Sequence, residues 1–529
     1  MTPPVLYFDL GNTLVHGPAG AAVPFPDAVA TIETLWQRGY RIGLLSNQTA
    51  GTTIAEVVDK LGLYGLDASK FDAITISSEF NPPKNKPDPD IFDHALSKVG
   101  YSAGSQRTVF VTETLDHIEA ARDLGWRAIH IPFQADCTPA SGECVGALDD
   151  LLDLFPPLAI DVYMRDSTDD DGDEPSTGAF WNSPDLWVRN TNDGGTTHQN
   201  PVAGQDNWFH ARLHNRGEGI ARTVVVTHAV KEWAGTQFVH PADYTPHTAL
   251  IGLFNLVPDV PVTVAAKWAA VDVPVEGTHA CWLSAAYVTG DPIASGAHVW
   301  EANNLAQKNL TIIEMAAGET AQLAFVIGNR AVLEIRRVVL ELWQSGDGPQ
   351  LSATLASTDP VALGRAVSRA ERMIPKAPPA AAEPSVGLRF LDPARVELTG
   401  LLEPGGETAI MELAPGSQIT FPPAKPAVVA KAPLRTGARP AAPLTARLIE
   451  TTKGAQHVAF AERSPSGIAL GLREAEILRT VLSVTVPRDA KPGSRITLDL
   501  LQRDADGTVV GGVSVAVAIA ERKARKTTK

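Results

Sequence analysis

The chain has 529 residues, with 45 Lys and Arg against 60 Asp and Glu, for a formal net charge of −15. That length suggests three or four domains. The acidic balance argues against nucleic acid as the main partner. The three cysteines, Cys137, Cys144 and Cys281, show neither a zinc-ligand spacing nor a disulfide framework. Cys137 and Cys144 are close enough to pair but are expected as reduced thiols. The opening MTPPVLYFDL has no basic or apolar leader pattern, and no apolar run approaches the ~18 residues of a membrane span. The expectation is a cytoplasmic protein, with export by another route left open.

Residues 1–157 alternate strands and helices. Pro4–Asp9 reads as a buried strand, followed by a Pro/Gly-rich loop over His16–Pro26. Ala28–Arg38 has helical spacing, Tyr40–Leu45 is a second strand, and Thr53–Leu61 a second helix. Ala73–Ile76 is a short strand, Lys84–Pro89 a Pro-rich loop and Ile91–Val99 a helix. Thr108–Val111, Asp116–Leu124 and Arg127–Ile131 complete the series as strand, helix and strand. Such alternation predicts a Rossmann-like α/β domain, a parallel sheet with helices on both faces.

From about residue 158 the helical period fades. Short β-branched or alternating runs take over: Leu186–Arg189, Trp208–Leu213, Arg222–Thr227, Val262–Trp268 and Ala280–Val288. Seven of the ten tryptophans fall between Trp181 and Trp300, which places the large aromatics in this segment's core. Residues 158–313 and 314–520 are therefore expected as two all-β, immunoglobulin-like sandwich domains. Strands in the second are Gln322–Ile327, Val332–Leu342, Leu444–Ile449, Ile477–Val486, Arg495–Gln502 and Gly507–Val517, with a bulge at Gly511-Gly512. Ile374–Pro384 and Phe421–Pro443 read as Pro/Ala-rich insertions, and Glu521–Lys529 as a disordered basic tail.

Four polar groups recur in order at successive strand ends or loops: Asp9 in FDLGNT, Ser46-Asn47 in LLSNQ, Lys86 in NKPDPDIF and Glu113 in VFVTETLDHIEAARDLG. Phosphoryl transfer through a carboxylate needs these residue types. Asp9 is a nucleophile. Ser46 and Asn47 are donors for phosphoryl oxygens, and Lys86 is a fixed cation for the charge that builds up. Glu113 is a second carboxylate to share Mg²⁺, which prefers oxygen ligands. Each alone is unremarkable: a solvated lysine, an acid at a helix start. Their order is what points to chemistry.

On these motifs residues 1–157 resemble the haloacid dehalogenase-like hydrolases, and Phe110–Trp126 is similar to the phosphatase half of soluble epoxide hydrolases. The resemblance implies that Asp9 is nucleophile and metal ligand, that the Gly11 carbonyl and Glu113 complete the Mg²⁺ site, that Ser46 and Asn47 bind phosphate, and that Lys86 is the lysine of the third motif. It implies a hydrolase of phosphoric monoesters working through an aspartyl-phosphate. The sequence departs from the family at three positions. Gly11 stands where its phosphatases carry a second Asp as general acid, Thr112-Glu113 replaces Asp-Asp or Gly-Asp, and His117 stands where Asn or Asp is common. His16 and Gln48 are either assistants to catalysis or loop surface residues. The gaps from Asp9 to Leu45 and from Ser46 to Lys86 leave no room for a large cap domain. The site is expected to be open, to take a phosphorylated and even macromolecular substrate, and to be covered by the β modules if by anything.

In the β region, Asp169, Asp171 and Asp173 around Gly172 form either a Ca²⁺ loop without the downstream bidentate acid or a solvated acidic turn. SPDLWVRN, DNWFHARLHNRG and NNLAQKNL loosely resemble adhesion-type β-sandwich modules of bacterial proteins, a likeness that names no ligand. His210, His214 and His228 read as packed or surface histidines, with a metal site as the alternative. Two functions remain: a Mg²⁺-dependent phosphatase, or an inactive phosphatase-like scaffold whose sandwiches bind protein or glycan.

Overall fold

The computed structural model describes residues 3–18, 21–101, 107–176, 179–231, 234–235, 238–274, 280–310, 312–328, 335–346, 348–357, 359, 361–373, 387–392, 395–399, 409–412, 443–450, 456–463, 467–474, 476–504 and 507–521. The insertion expected over 374–384, all of that expected over 421–443 except Pro443, and nearly all of the basic tail lie outside these residues. The chain divides into two compact units, one of residues 1–234 and 238–312, the other of 235–237 and 313–529.

The first unit begins with β1 (Val5–Phe8), α1 (Ala28–Gln37), β2 (Arg41–Ser46), α2 (Ile54–Leu63), β3 (Ala73–Ile76), α3 (Pro89–Val99), β4 (Thr108–Thr112), α4 (Leu115–Asp123) and β5 (Arg127–His130). The strands form one sheet in the order β3-β2-β1-β4-β5, parallel throughout. Strand side chains alternate between faces, and helices cover both. Leu6 and Phe8 enter one core with Ile32, Leu35 and Val57, while Val5 and Tyr7 enter the other with Phe92, Leu96 and Ile118. That two-sided burial explains why β1 reads as an unbroken apolar run. Gly43 is required in β2 because a Cβ there would lie 2.3 Å from the Tyr7 ring. Thr53 and Glu56 form a capping box that starts α2.

A β-sandwich follows within the same unit. One sheet holds β6 (Val162–Tyr163), β7 (Leu186–Arg189), β8 (Asn207–Asn215) and β11 (Val262–Trp268), the other β9 (Ala221–Lys231), β10 (Ala249–Leu256), β12 (Cys281–Tyr287) and β13 (Leu305–Asn309). Val188, Phe209 and Leu213 of the first sheet meet Val224, Leu256 and Trp282 of the second in a single core, closed by Trp268. All pairings are antiparallel.

The sandwich abuts the α/β domain at the amino ends of its strands. Arg222 donates to the Tyr40 carbonyl at 2.9 Å, pairs with Asp72 at 3.2 Å and lies over the Trp36 ring at 4.6 Å. Ile220 donates its amide to Gly39 at 2.9 Å, and the two backbones pass so closely that a Cβ on Gly39 would lie 2.9 Å from the Gly219 Cα. This sandwich therefore lies at the end of the sheet opposite the site and does not cover it. At ~3.3 Å per residue, β2 separates this junction from Ser46 by about 17 Å.

The second unit is built on antiparallel strands: β14 (Thr320–Gly328), β15 (Arg336–Gly346), β16 (Ser352–Ser357), β17 (Pro443–Glu450), β18 (Gln456–Arg463), β19 (Ile468–Leu472), β20 (Ile477–Thr485), β21 (Arg495–Arg503) and β22 (Val509–Ala520). The bulge falls at Val510, because Gln502 faces Gly511 and Arg503 faces Val509. One helix, α5 (Ala362–Met373), breaks the strand series and was not expected. Its buried stripe is mostly small, Ala362, Gly364, Ala366 and Ala370 beside Leu363, with Arg365, Arg369, Glu371 and Arg372 among its polar residues. One correction concerns the thiols. Cys137 and Cys144, with Cα atoms 6.0 Å apart, are joined as a disulfide, because the loop after β5 doubles back and brings Cys144 beside His130. Cys281 is free and buried. Among the described residues no helix is long and apolar enough to cross a membrane.

Candidate active site

The sheet order reverses between β1 and β4, and in open α/β sheets ligands bind beyond the carboxyl ends of strands at that point. Asp9 ends β1 there and Thr112-Glu113 end β4. The Asp9 carboxylate is almost wholly buried. Its Oδ1 accepts the Leu10 amide at 2.8 Å. Its Oδ2 lies 2.5 Å from the Lys86 ammonium, 3.2 Å from the Thr112 hydroxyl and 3.5 Å from His117 Nδ1. Burial pushes the Asp9 pKa up, but Lys86, His117 and the Leu10 amide outweigh it and hold the group below its ordinary value. Burial draws Lys86 below the usual lysine range, although Asp9 and Glu113 oppose that pull.

Lys86 is fixed twice over. Its ammonium donates to the Leu45 carbonyl at 2.6 Å. Its backbone is held by Asn47, whose Oδ1 accepts the Lys86 amide at 2.7 Å and whose Nδ2 donates to the Lys86 carbonyl at 3.2 Å. Asn47 therefore spends its side chain on the lysine loop. Ser46 Oγ accepts from Gln48 Nε2 at 2.9 Å, which places Gln48 beside Ser46.

Glu113 faces Asp9 across Thr112. Its Oε2 accepts from Thr13 Oγ1 at 2.8 Å and lies 3.3 Å from the Thr112 hydroxyl, the same hydroxyl that reaches Asp9. Thr114 Oγ1 donates to Oε1 at 2.9 Å. His130 Nε2 contacts the Glu113 carbonyl at 2.9 Å, which ties β5 to this corner. Sequence reasoning passed over Thr13, and noted Thr112 only as a departure from the family without giving it a role. Both lie inside the quoted motifs, and a carboxylate at a strand end next to a threonine was the available signal.

Two carboxylates and the carbonyl-rich turn after Asp9 are hard oxygen donors. Mg²⁺ commonly binds through one or two carboxylates, keeping waters and taking substrate phosphate for the rest. The residues present fit such an ion, with Asp9 and Glu113 to hold it. No group of three His, Cys, Asp or Glu side chains placed to hold a metal occurs among the described residues. In the acidic turn, Asp173 pairs with Arg216 at 3.0 Å, and the Asp171 carbonyl accepts from the same guanidinium at 3.2 Å. Asp170, not Asp169, organises the turn, taking the amides of Asp166 and Gly172. The candidate histidines also stay apart. His210 stacks on Trp187, His214 contacts Asp185 at 2.9 Å, and His228 is buried against Trp282 and Ser284. His16 packs with Phe25 and Phe133.

Residues 17–125 match the family model of haloacid dehalogenase-like hydrolases. This segment is a haloacid dehalogenase-like domain. The match takes in Ser46, Asn47, Lys86, Glu113 and His117, and begins after Asp9 and Gly11. Solved structures similar to this chain include an uncharacterized protein from Listeria monocytogenes serotype 4b, at 24% identity over 28% of this chain and 96% of that one, with a TM-score of 0.25. A hydrolase of the same superfamily from Ehrlichia chaffeensis is 14% identical over 29% of this chain and 97% of its own, with a TM-score of 0.24. A dehalogenase solved with an intermediate is 24% identical over 25% of this chain, with a TM-score of 0.22, and the match spans 57% of that dehalogenase. No curated protein matches the sequence.

Proposed function

We propose that the haloacid dehalogenase-like domain is a Mg²⁺-dependent phosphatase acting on a phosphate monoester through an aspartyl-phosphate on Asp9. The observation that carries this reading is the Asp9–Lys86 contact of 2.5 Å at the switch point, with Glu113 joined to Asp9 through Thr112. In the forward step an Asp9 carboxylate oxygen attacks phosphorus and the ester oxygen leaves with its electron pair, taking a proton from solvent. Water then attacks the phosphorus of the acyl phosphate, restoring the Asp9 carboxylate and releasing phosphate. Lys86 neutralises charge on the transferring oxygens, and Ser46 offers its hydroxyl to them. A bound Mg²⁺ would supply Lewis-acid stabilisation of the same oxygens.

Release of phosphate from a generic aryl phosphate, with and without Mg²⁺, tests the proposal. Metal-dependent turnover that vanishes in Lys86→Ala supports it, and turnover indifferent to both overturns it. A second reading rests on Gly11. With no acid two residues after the nucleophile, the domain serves as a scaffold and the β domains bind protein or glycan. Absence of turnover, with Asp9 and Lys86 intact, favours that reading.

A further inference from the structure

The Cys137–Cys144 disulfide closes a short loop beside the candidate active site, and no step of the proposed reaction uses it. The loop leaves β5 and returns against its end. The His130 amide donates to the Glu143 carbonyl at 2.9 Å, and the His130 carbonyl accepts the Val145 amide at 3.0 Å. Within the loop Ser141 is fully buried, while Cys137 and Thr138 are exposed. Ser141 Oγ accepts the Thr138 amide at 3.0 Å and lies 2.8 Å from His130 Nδ1. Arg122 of α4 donates to the Ser141 carbonyl at 2.6 Å, which anchors the main chain there. On the other side of the ring, His130 Nε2 contacts the Glu113 carbonyl at 2.9 Å. A carbonyl can only accept, so Nε2 carries the hydrogen of that bond and Nδ1 is left to Ser141.

A chain of contacts therefore runs from the disulfide to the Glu113 corner. Cys137 tethers its neighbour Thr138, whose amide fixes Ser141. Ser141 in turn sets the His130 ring, and the ring holds the main chain of Glu113. Cys144 Sγ itself lies 3.8 Å from His130 Nδ1. The two cysteines are only seven residues apart in sequence, and cross-links of short loops stabilise a fold least. Exposure at Cys137 opens the bond to attack by a thiolate, and exposed disulfides are the readily reduced, regulatory class. We propose that this disulfide is a redox switch on the active site, with Ser141 and His130 as positioning residues that hold Glu113 while the bond is closed. The proposal rests on the phosphatase reading of the site. In the switching step a small dithiol supplies two electrons and two protons. The S–S bond breaks, Cys137 and Cys144 become thiols, and the dithiol leaves as its own cyclic disulfide. Without the cross-link Thr138 releases Ser141, and the Glu113 corner loosens.

Hydrogen–deuterium exchange of the full chain before and after dithiothreitol, read by mass spectrometry, tests the switch without needing turnover. Exchange is expected to rise in the peptide covering Thr112–His117 and to stay unchanged in β2. The Mg²⁺ concentration that half-saturates aryl phosphate turnover should rise by about tenfold, the loss expected when the support of a metal ligand is removed, while kcat at saturating Mg²⁺ changes little. Cys137→Ser should match the reduced parent with no dithiol added. Ser141→Ala, its disulfide intact, should show the same rise in exchange and no further response to dithiol. Exchange at Thr112–His117 indifferent to reduction, an equal rise in β2, a Ser141→Ala protein that behaves as the parent, or turnover that reduction leaves unchanged would each overturn the proposal. The expected exchange pattern with no turnover in either redox state would support the link to Glu113 and overturn the phosphatase reading alone.

Discussion

Asn47 grips the backbone of Lys86 from both sides, accepting its amide at 2.7 Å and donating to its carbonyl at 3.2 Å. The pairing sets the loop that delivers the Lys86 ammonium to Asp9. Asn47→Ala removes both bonds while leaving every charged group in place. A shift of about 1 Å in a catalytic group costs up to ~10²-fold in rate. Steady-state kinetics should show kcat down by at least roughly tenfold, with the unfolding free energy lowered by only about 1–2 kcal/mol.

Gly11 is the position on which catalytic power most depends. A Cβ built there meets nothing within 4 Å, and its backbone avoids the left-handed region. Gly11→Asp should therefore fold as the parent does and place a carboxyl two residues beyond the nucleophile. Positioned acid–base help is worth roughly 10²–10⁴-fold. Aryl phosphate turnover should rise by at least about tenfold, most for the poorest leaving groups. An unchanged rate would mean that leaving-group protonation does not limit the proposed reaction.

The α/β domain was legible in the sequence for a physical reason. β1 packs both faces, and its end meets Ser46, Lys86 and Glu113 through the order of a parallel sheet. The role of Asn47 was not legible, because its partner is main chain of a loop 39 residues away. The strand Ala249–Leu256 was missed because ALIGLFNL lacks strict alternation, while α5, whose polar and apolar residues segregate at helical spacing, was passed over among the strands that flank it. The position of the sandwich was hidden as well. It depends on Arg222, an ordinary cation in sequence that is buried against Trp36 and Asp72 in the fold.

That junction makes the next prediction. Arg222→Ala leaves Asp72 without its cation and strips the Tyr40 carbonyl of a donor. Breaking a buried pair costs about 3–5 kcal/mol, and partial exposure of Asp72 reduces that to roughly 2 kcal/mol. Thermal unfolding should show the α/β domain and its sandwich melting at a lower temperature, and separating into two transitions. A single transition at the parental temperature would show that the two domains do not depend on this contact.

Asp499 supplies a pH signature in the second unit. It is buried on β21 with the Ser514 hydroxyl as partner, and burial pushes its pKa up to about 6. The folded state therefore keeps the proton over a range where the unfolded chain has lost it. Stability falls as pH rises from about 4 to about 6 and stays lower above, by up to roughly 3 kcal/mol for a shift of this size. Denaturant unfolding at both ends of that range should show this loss in the parent and a flatter profile in Asp499→Asn. Equal profiles would place the titration elsewhere.

The central claim is that Asp9 carries the phosphoryl group. Rapid acid quenching during turnover of an aryl phosphate with Mg²⁺, followed by peptide mass spectrometry, tests it most directly. Phosphate is expected on the peptide containing Asp9, lost in Asp9→Asn together with turnover. Turnover that continues in Asp9→Asn, or a phosphoryl group trapped on another residue, would contradict it.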